Sequence, residues 1–395
     1  MNEILFQLPG GGDWFSWIFM MLFWMVFLVF YPRLMLSQTL WKLEKTAKDL
    51  EKMSDKSKKF IIDNINKNPS KSLNDSIDRF FEFFLIEPVS LDPFGVIGKL
   101  EHLVNGQKSR FDYFVDQVIP NADDEKKANL KMGLAGGITV HDIAKIVRHY
   151  VELVRKTKNL QIAMVLQMQL PLIERIAKSM FDGTKALTRG DPIGDGIGPY
   201  IIATLSGEDR GEEIEEEILL SKVKIDGRNA FVLKARGPGG RIGRPGKAVE
   251  KVVNKVDITR IISIDAAAKL EGEKSGSVAE GVGVAMGGPG VERSYIENVA
   301  IKKKIPLDSI IVKMSPEEAI TAMRKKIRDA IPEVKEALNR SIDRTKKGDN
   351  IIIVGVGNTS GIGNKESEAQ KTDKWIDAHE KKLEREKRHK KKKAD

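Results

Sequence analysis

The chain reads as an α/β protein with an N-terminal transmembrane helix, an α-helical middle domain and a C-terminal three-layer α/β domain with a mainly parallel sheet. Three observations predict this. An unbroken apolar and aromatic run stands near the N-terminus. Residues 75–183 repeat their apolar positions at helical spacing. After residue 184, short β-branched runs alternate with amphipathic segments, the pattern of a sheet covered by helices on both faces. The expected parts are an anchor at 1–33, a helical stalk and hinge at 34–74, a helical domain at 75–183, the α/β domain at 184–364 and a basic tail at 365–395.

The anchor is WFSWIFMMLFWMVFLVFY, Trp14 to Tyr31, in which Ser16 alone is polar apart from the aromatic heads. As a helix this run rises about 27 Å, close to the roughly 30 Å hydrocarbon core of a bilayer. Trp14 and Trp17 at one end and Tyr31 at the other fall where aromatic belts lie, and Pro32 is expected to end the run. A secretory signal would need a basic leading region and a small-residue cleavage site, whereas Glu3 and Asp13 precede this segment. Arg33, Lys42, Lys45, Lys48 and Lys52 follow it and no Lys or Arg precedes it. Positive charge stays inside, so the N-terminus is expected outside and the body in the cytoplasm, with the membrane bilayer as the first partner. Leu160–Leu172 is no second span, because Gln161, Gln167 and Gln169 interrupt it.

Leu36, Leu40, Leu43, Ala47 and Leu50 follow heptad spacing and predict a stalk, packing either on the body or on a second chain. The Lys-, Asn- and Ser-rich stretch 55–75 reads as a helix end and hinge. Ile143, Ile146, Val147, Tyr150, Val151 and Val154 define a helix over 138–157 with Thr139 and Asp142 as candidate caps.

In the α/β half, strands are expected at 230–235, 259–265, 309–314 and 350–357, with helices at 196–206, 245–256, 290–303 and 316–346. Ser315-Pro316-Glu317-Glu318 is a helix start with a capping Ser, Pro in the first turn and an acid three residues on. The ligand site of such a sheet lies at the carboxyl ends of its strands. The glycines gather there: 237–240, 281–290 and 355–363. None of these loops is a Walker A or dinucleotide-binding fingerprint.

The composition narrows the chemistry. Among 395 residues there is no cysteine, which excludes disulfides, thiolate metal sites and a cysteine nucleophile. Five histidines leave little room for a His-rich metal site. Asp195, in a Gly-flanked turn, and Asp265, at a strand end, are the candidate catalytic acids. As a pair they would share a proton or hold a cation. With oxygen ligands and no His, the fitting cofactor is a hard divalent cation such as Mg²⁺ or Mn²⁺. The candidate ligand-binding residues are Gly194, Gly196, Gly287, Gly288, Glu292, Gly355, Gly357 and Asn358. Glu280 is a further acid near the loop, and Arg236, Arg241 and Arg244 place positive charge at the same edge.

The stretch IIIVGVGN resembles the first strand and turn of hydrogenase-maturation endopeptidases. The segment Ile193–Pro199, IISIDAA and GVGVAMGGPGVERSYIENVA are similar to that family's next turn, strand and loop–helix pieces, and also to spore germination endopeptidases. The order is that of a circular permutation over roughly 190–364. The resemblance implies that Asp195 and Asp265 face one site; the family's His ligand is replaced by Gly287-Gly288-Pro289. The whole chain also resembles an archaeal family of uncharacterised membrane-anchored proteins with a domain of unknown function.

The net charge of +10 favours anionic partners. Residues 365–395 hold 12 basic and 8 acidic side chains. They read either as a frayed, solvated helix or as a polybasic arm for anionic lipid or ribosomal RNA. The expected function is a membrane-anchored, cytoplasm-facing protein whose α/β domain binds a peptide, metabolite or metal at an acidic, glycine-lined pocket. The alternatives are a membrane-tethered peptidase-like hydrolase and an adaptor that contacts the ribosome through its tail.

Overall fold

A computed structural model describes residues 14–88 and 95–392. The apolar run opens a 52-residue helix, α1 (Trp14–Ile65), with Pro32 inside it. The helix runs on through Pro32, where a stop was expected, and ends at Ile65, inside the 55–75 stretch read as a helix end, with residues 66–70 linking it to the next helix. A proline removes one hydrogen bond and crowds the preceding turn, but strong helix-forming sequence on both sides carries the helix through. It is the one described helix long and apolar enough to cross a membrane.

The chain divides into two compact units, one holding residues up to Met53 with His141–Ala177, the other Ser54–Val140 with Lys178 onward. Helices α2 (Lys71–Phe81), α3 (Val96–Val118), α4 (Asp124–Thr157) and α5 (Leu160–Arg189) complete the helical half. In the first unit the heptad residues Leu43, Ala47 and Leu50 are buried against Val147, Val151 and Val154 of α4 and Leu166 and Leu170 of α5. The stalk therefore packs within its own chain. Arg148 grips Glu51 through two nitrogens and reaches Glu44 at 2.8 Å. Thr139 caps nothing: it lies inside α4 and its hydroxyl donates to Ala135 O. That helix begins 15 residues earlier, where Asp123 accepts the Lys126 N–H.

The second unit has a helical layer built on Ile61, Ile77, Phe81, Phe111, Val115 and Leu134, and the α/β domain. A single 3₁₀ turn (Gly194–Gly196) leads into α6 (Ile197–Leu205). There follow β1 (Glu212–Glu215), β2 (Ile218–Ile225), β3 (Arg228–Ala235), α7 (Pro245–Lys255), β4 (Arg260–Ala268), β5 (Val278–Val282), α8 (Val291–Lys303) and β6 (Leu307–Met314). Then come α9 (Pro316–Ile320), α10 (Lys325–Arg328), α11 (Ile331–Ile342), β7 (Asn350–Gly355) and α12 (Glu366–Lys392). The expected helix at 316–346 is three pieces, the first opened by a full Ser315–Glu318 capping box.

The seven strands run in the order β1-β2-β3-β7-β4-β6-β5. Only β3, β7, β4 and β6 are parallel to one another; β1, β2 and β5 join antiparallel. The sheet is mixed, which corrects the mainly parallel expectation. The parallel centre is where strands are apolar on both sides: Ile351 and Ile353 of β7 face a core with α6, α11 and α12, while Ile352 and Val354 face α7 and α8. The missed strands are the amphipathic flanks. In β2 the outer half, Lys222–Ile225, is partly exposed, and Val282 of β5 is 90% exposed.

The tail is not a separate piece throughout. Ala369 and Ile376 of α12 belong to the sheet-covering core, and Tyr200 donates to Asp373 at 2.6 Å. Glu380 pairs with Arg324 at 2.6 Å. Beyond it the helix to Arg388 is mostly exposed, carrying Lys381, Lys382, Arg385 and Lys387.

Candidate functional site

Asp265 lies near the carboxyl end of β4, opposite Ile311 of β6, with Ile264 opposite Gly355 of β7. Strand side chains alternate between faces. Ile262 and Ile264 fill the core under α6, so Asp265 emerges on the opposite face with Ile261, at the strand end where α7 and α8 no longer cover it. Asp195 arrives from the other side of the sheet, on the 3₁₀ turn before α6. Gly198 lets that turn lie on the ends of two strands: a Cβ there would stand 2.3 Å from Val356 O and 2.5 Å from Ile264 O. Gly357, at φ +133°, completes the junction, since a Cβ on it would lie 1.9 Å from Asp195 O.

Both acids open into one cavity of about 470 Å³, within the usual range for small-molecule sites. Its floor is the ends of β4 and β7, and its walls come from three further sources. These are α3 and α4 (Val104, Lys108, Phe111, Lys131, Met132, Ala135), the 242–245 loop, and the 286–292 loop with the start of α8. Glu216 and Glu217 close the rim. Most of the lining is apolar.

The two acids differ in their surroundings. Asp265 is 5% exposed; its Oδ1 accepts the Ala266 N–H at 2.6 Å. Burial first, and then the negative charge of Asp195, push its carboxyl up to about 8 against that hydrogen bond. Asp195 keeps some exposure toward the cavity, and its Oδ2 accepts the Asn358 N–H at 2.8 Å. Burial raises its carboxyl too, with the Asn358 bond acting the other way. Both carboxyls are thus biased toward the protonated form, Asp265 enough to hold its proton at neutral pH.

The other sequence-predicted residues separate into two groups. Gly287, Gly288, Glu292 and Gly357 line the cavity. Gly194, Gly196, Gly355 and Asn358 do not line it. A Cβ on Gly194 would meet Glu318 O at 2.2 Å, on Gly196 Ile362 Cδ1 at 2.3 Å, and on Gly355 Gly198 O at 2.5 Å. Gly194 and Gly355 let backbone meet backbone and Gly196 makes room for the Ile362 side chain and Asn358 O, whereas Gly287 and Gly288 have nothing within 4 Å and border open space. Asn358 is buried and turns its Oδ1 onto the Ser360 N–H. Glu280 is outside the site, paired with Arg340 at 2.7 Å.

The expected positive edge is neutralised. Arg241, 3% exposed, is tied to Glu125 at 2.6 Å. Arg244 bridges Glu101 at 2.6 Å and Glu292 at 3.0 Å. Glu292 also accepts the Gly246 N–H at 2.8 Å and so caps α7. Glu101 is held down at about 2 by hydrogen bonds from Lys247 and Tyr295 and by Arg244. Sequence reading missed the α3 and α4 wall, since Phe111 and Met132 look like ordinary helix-core residues. It also missed Lys234 on β3: 3% exposed, it donates to Ala235 O and Asn364 Oδ1, both at 2.8 Å. Burial lowers its ammonium to about 7.

Among the described residues no group of three or more His, Cys, Asp or Glu could hold a metal ion; Asp195 and Asp265 by themselves would leave most of a divalent cation's coordination to water or ligand.

The chain belongs to a family described as a protein of unknown function (DUF1512): the model of its N-terminal domain matches residues 17–190, and that of its C-terminal domain, a domain of unknown function, matches 193–363. The boundary falls at the loop between α5 and the Asp195 turn. No curated protein and no solved structure matches.

Proposed function

We propose that this is a membrane-anchored protein, N-terminus outside and body cytoplasmic, whose α/β domain binds a small organic ligand in the cavity over Asp195 and Asp265. One observation carries the reading: a buried acid, Asp265, opens into an apolar-walled cavity beside a second acid, with a carboxylate oxygen left free of described partners. Burying two like charges together costs several kcal/mol in protein interiors, so an arrangement that gives each acid one backbone N–H and no cation favours a use. The anchor rests on the apolar start of α1 and on the Lys and Arg that follow it without any preceding. Ligand binding is tested on the full chain in phosphatidylcholine discs by saturation-transfer NMR with small phenylalkyl probes. Binding lost in Ala135→Trp, which fills the cavity, is the expected result. No transfer to any probe, or transfer unaffected by that substitution, overturns it.

A second reading is a peptidase-like hydrolase, favoured by the raised carboxyl of Asp265 beside Asp195. Asp195 as the anion would activate water, and Asp265 as the acid would protonate the leaving group. The rotated order of endopeptidase-like motifs supports it, and so does the central position of β7 beside β4. Turnover of a peptide library by the wild type and none by Asp265→Asn would favour this over simple binding. The basic exposed end of α12 supports an accessory contact with anionic lipid or ribosomal RNA.

A further inference from the structure

The charge inventory of the cavity narrows its ligand, and this step rests on reading the cavity as a ligand site. Each lining cation already has an acid. Lys108 pairs with Glu216 at 2.5 Å and Glu217 at 3.7 Å, Lys131 with Asp112 at 2.6 Å, and Arg244 with Glu101 and Glu292. Asp195 and Asp265 have none: among the described residues no Lys, Arg or His lies within ion-pair distance of either.

Their hydrogen bonds leave the same opening. Asp195 Oδ2 accepts the Asn358 N–H and Asp265 Oδ1 accepts the Ala266 N–H. Asp195 Oδ1 and Asp265 Oδ2 receive no hydrogen bond from the described residues, and both side chains line the cavity. A proton on Asp265 removes one of the two charges and leaves the other without a counter-ion. A group with several donors and a positive charge would satisfy both and remove the repulsion.

A phosphate or carboxylate ligand is disfavoured on the same grounds. The Gly287–Gly288 loop could approach an anion closely, but the floor beneath it is acidic and every nearby cation is engaged. The rest of the wall, Val104, Phe111, Met132, Ile242, Met286 and Val356, offers apolar surface.

We infer that the cavity takes a primary amine on an apolar body, its ammonium seated between Asp195 Oδ1 and Asp265 Oδ2 and its hydrocarbon part against the α3 and α4 wall. An ammonium is compact and presents three donors, which suits two carboxylates that open into one cavity. The apolar part contributes through the area it removes from water.

Three probes of one shape separate the possibilities: 4-phenylbutylamine, 4-phenylbutanol and 4-phenylbutyrate, titrated into the full chain in phosphatidylcholine discs. The amine should bind about tenfold or more tightly than the alcohol, a difference of at least one charge-assisted hydrogen bond, and the acid weakest of all. Asp195→Asn and Asp265→Asn should each erase most of the amine's advantage over the alcohol. Alcohol or acid binding as tightly as the amine, with both lost in Ala135→Trp, overturns the amine inference and leaves the cavity reading standing. Amine affinity unchanged in both Asn variants also overturns the inference. No binding by any of the three overturns both.

Discussion

Replacing Asp265 by Asn should stabilise the protein, and more so as the pH rises. The unfolded carboxyl titrates near 3.8, while the folded one is pushed up to about 8 by burial and by Asp195. Between those values the native state holds a proton that the unfolded state releases, so wild-type stability falls with rising pH and levels off above 8. The slope is at most about 1.4 kcal/mol per unit, or about 4 kcal/mol between pH 5 and pH 8. Local relaxation and water in the cavity reduce this, so about 2 kcal/mol is the working expectation. Asn keeps the size and an acceptor for the Ala266 N–H but never ionises. Its melting temperature should therefore exceed the wild type's by about 3 °C more at pH 8.5 than at pH 5, for a unit of roughly 300 residues. Thermal unfolding of the full chain, followed by near-ultraviolet circular dichroism at both pH values, reads this directly. A variant that loses stability equally at both would falsify the reasoning, because Asp265 would then be an ionised structural group.

Three further expectations are independent of the ligand. Gly357→Ala should cost about 3 kcal/mol or more, because it combines a φ of +133° with a Cβ 1.9 Å from Asp195 O, whereas Gly287→Ala, bordering open space, should stay within about 0.5 kcal/mol; urea unfolding compares them. Removing residues 381–395 should leave the melting temperature unchanged and weaken attachment to anionic vesicles at low salt. Removing 366–395 should unfold the α/β domain by uncovering Ala369 and Ile376 and orphaning Tyr200. Protease added outside intact spheroplasts should spare the chain beyond Arg33; digestion of the body from that side would reverse the orientation.

Local pattern was enough wherever one short stretch decides its own fate. The 14–31 run announces a helix of spanning length, the Ser315 capping box forms as read, and the strand with the all-apolar run 351–354 lies at the centre of the sheet because every one of those side chains needs cover. That Asp195 and Asp265 both reach the strand-end edge was also legible, since one ends an apolar strand and the other sits in a glycine-flanked turn before a helix. What pattern could not decide depends on which surfaces meet. The glycines at 194, 196, 198 and 355 look identical in sequence to those at 287 and 288. Yet the first group is pressed against backbone and the second opens onto the cavity, a difference set entirely by how the α6 turn lies on β4 and β7. Likewise Arg241 and Arg244 read as a positive edge until α3 and α4 bring Glu101 and Glu125 onto them. Charge carries no memory of sequence distance: pairing across more than 100 residues removes it from the site and leaves the two aspartates as the unneutralised charges there. Sequence determined which residues must be buried and which turns must be tight; tertiary structure alone decided which charges remain uncompensated, because Coulomb energy depends on separation in space and on the water excluded between them.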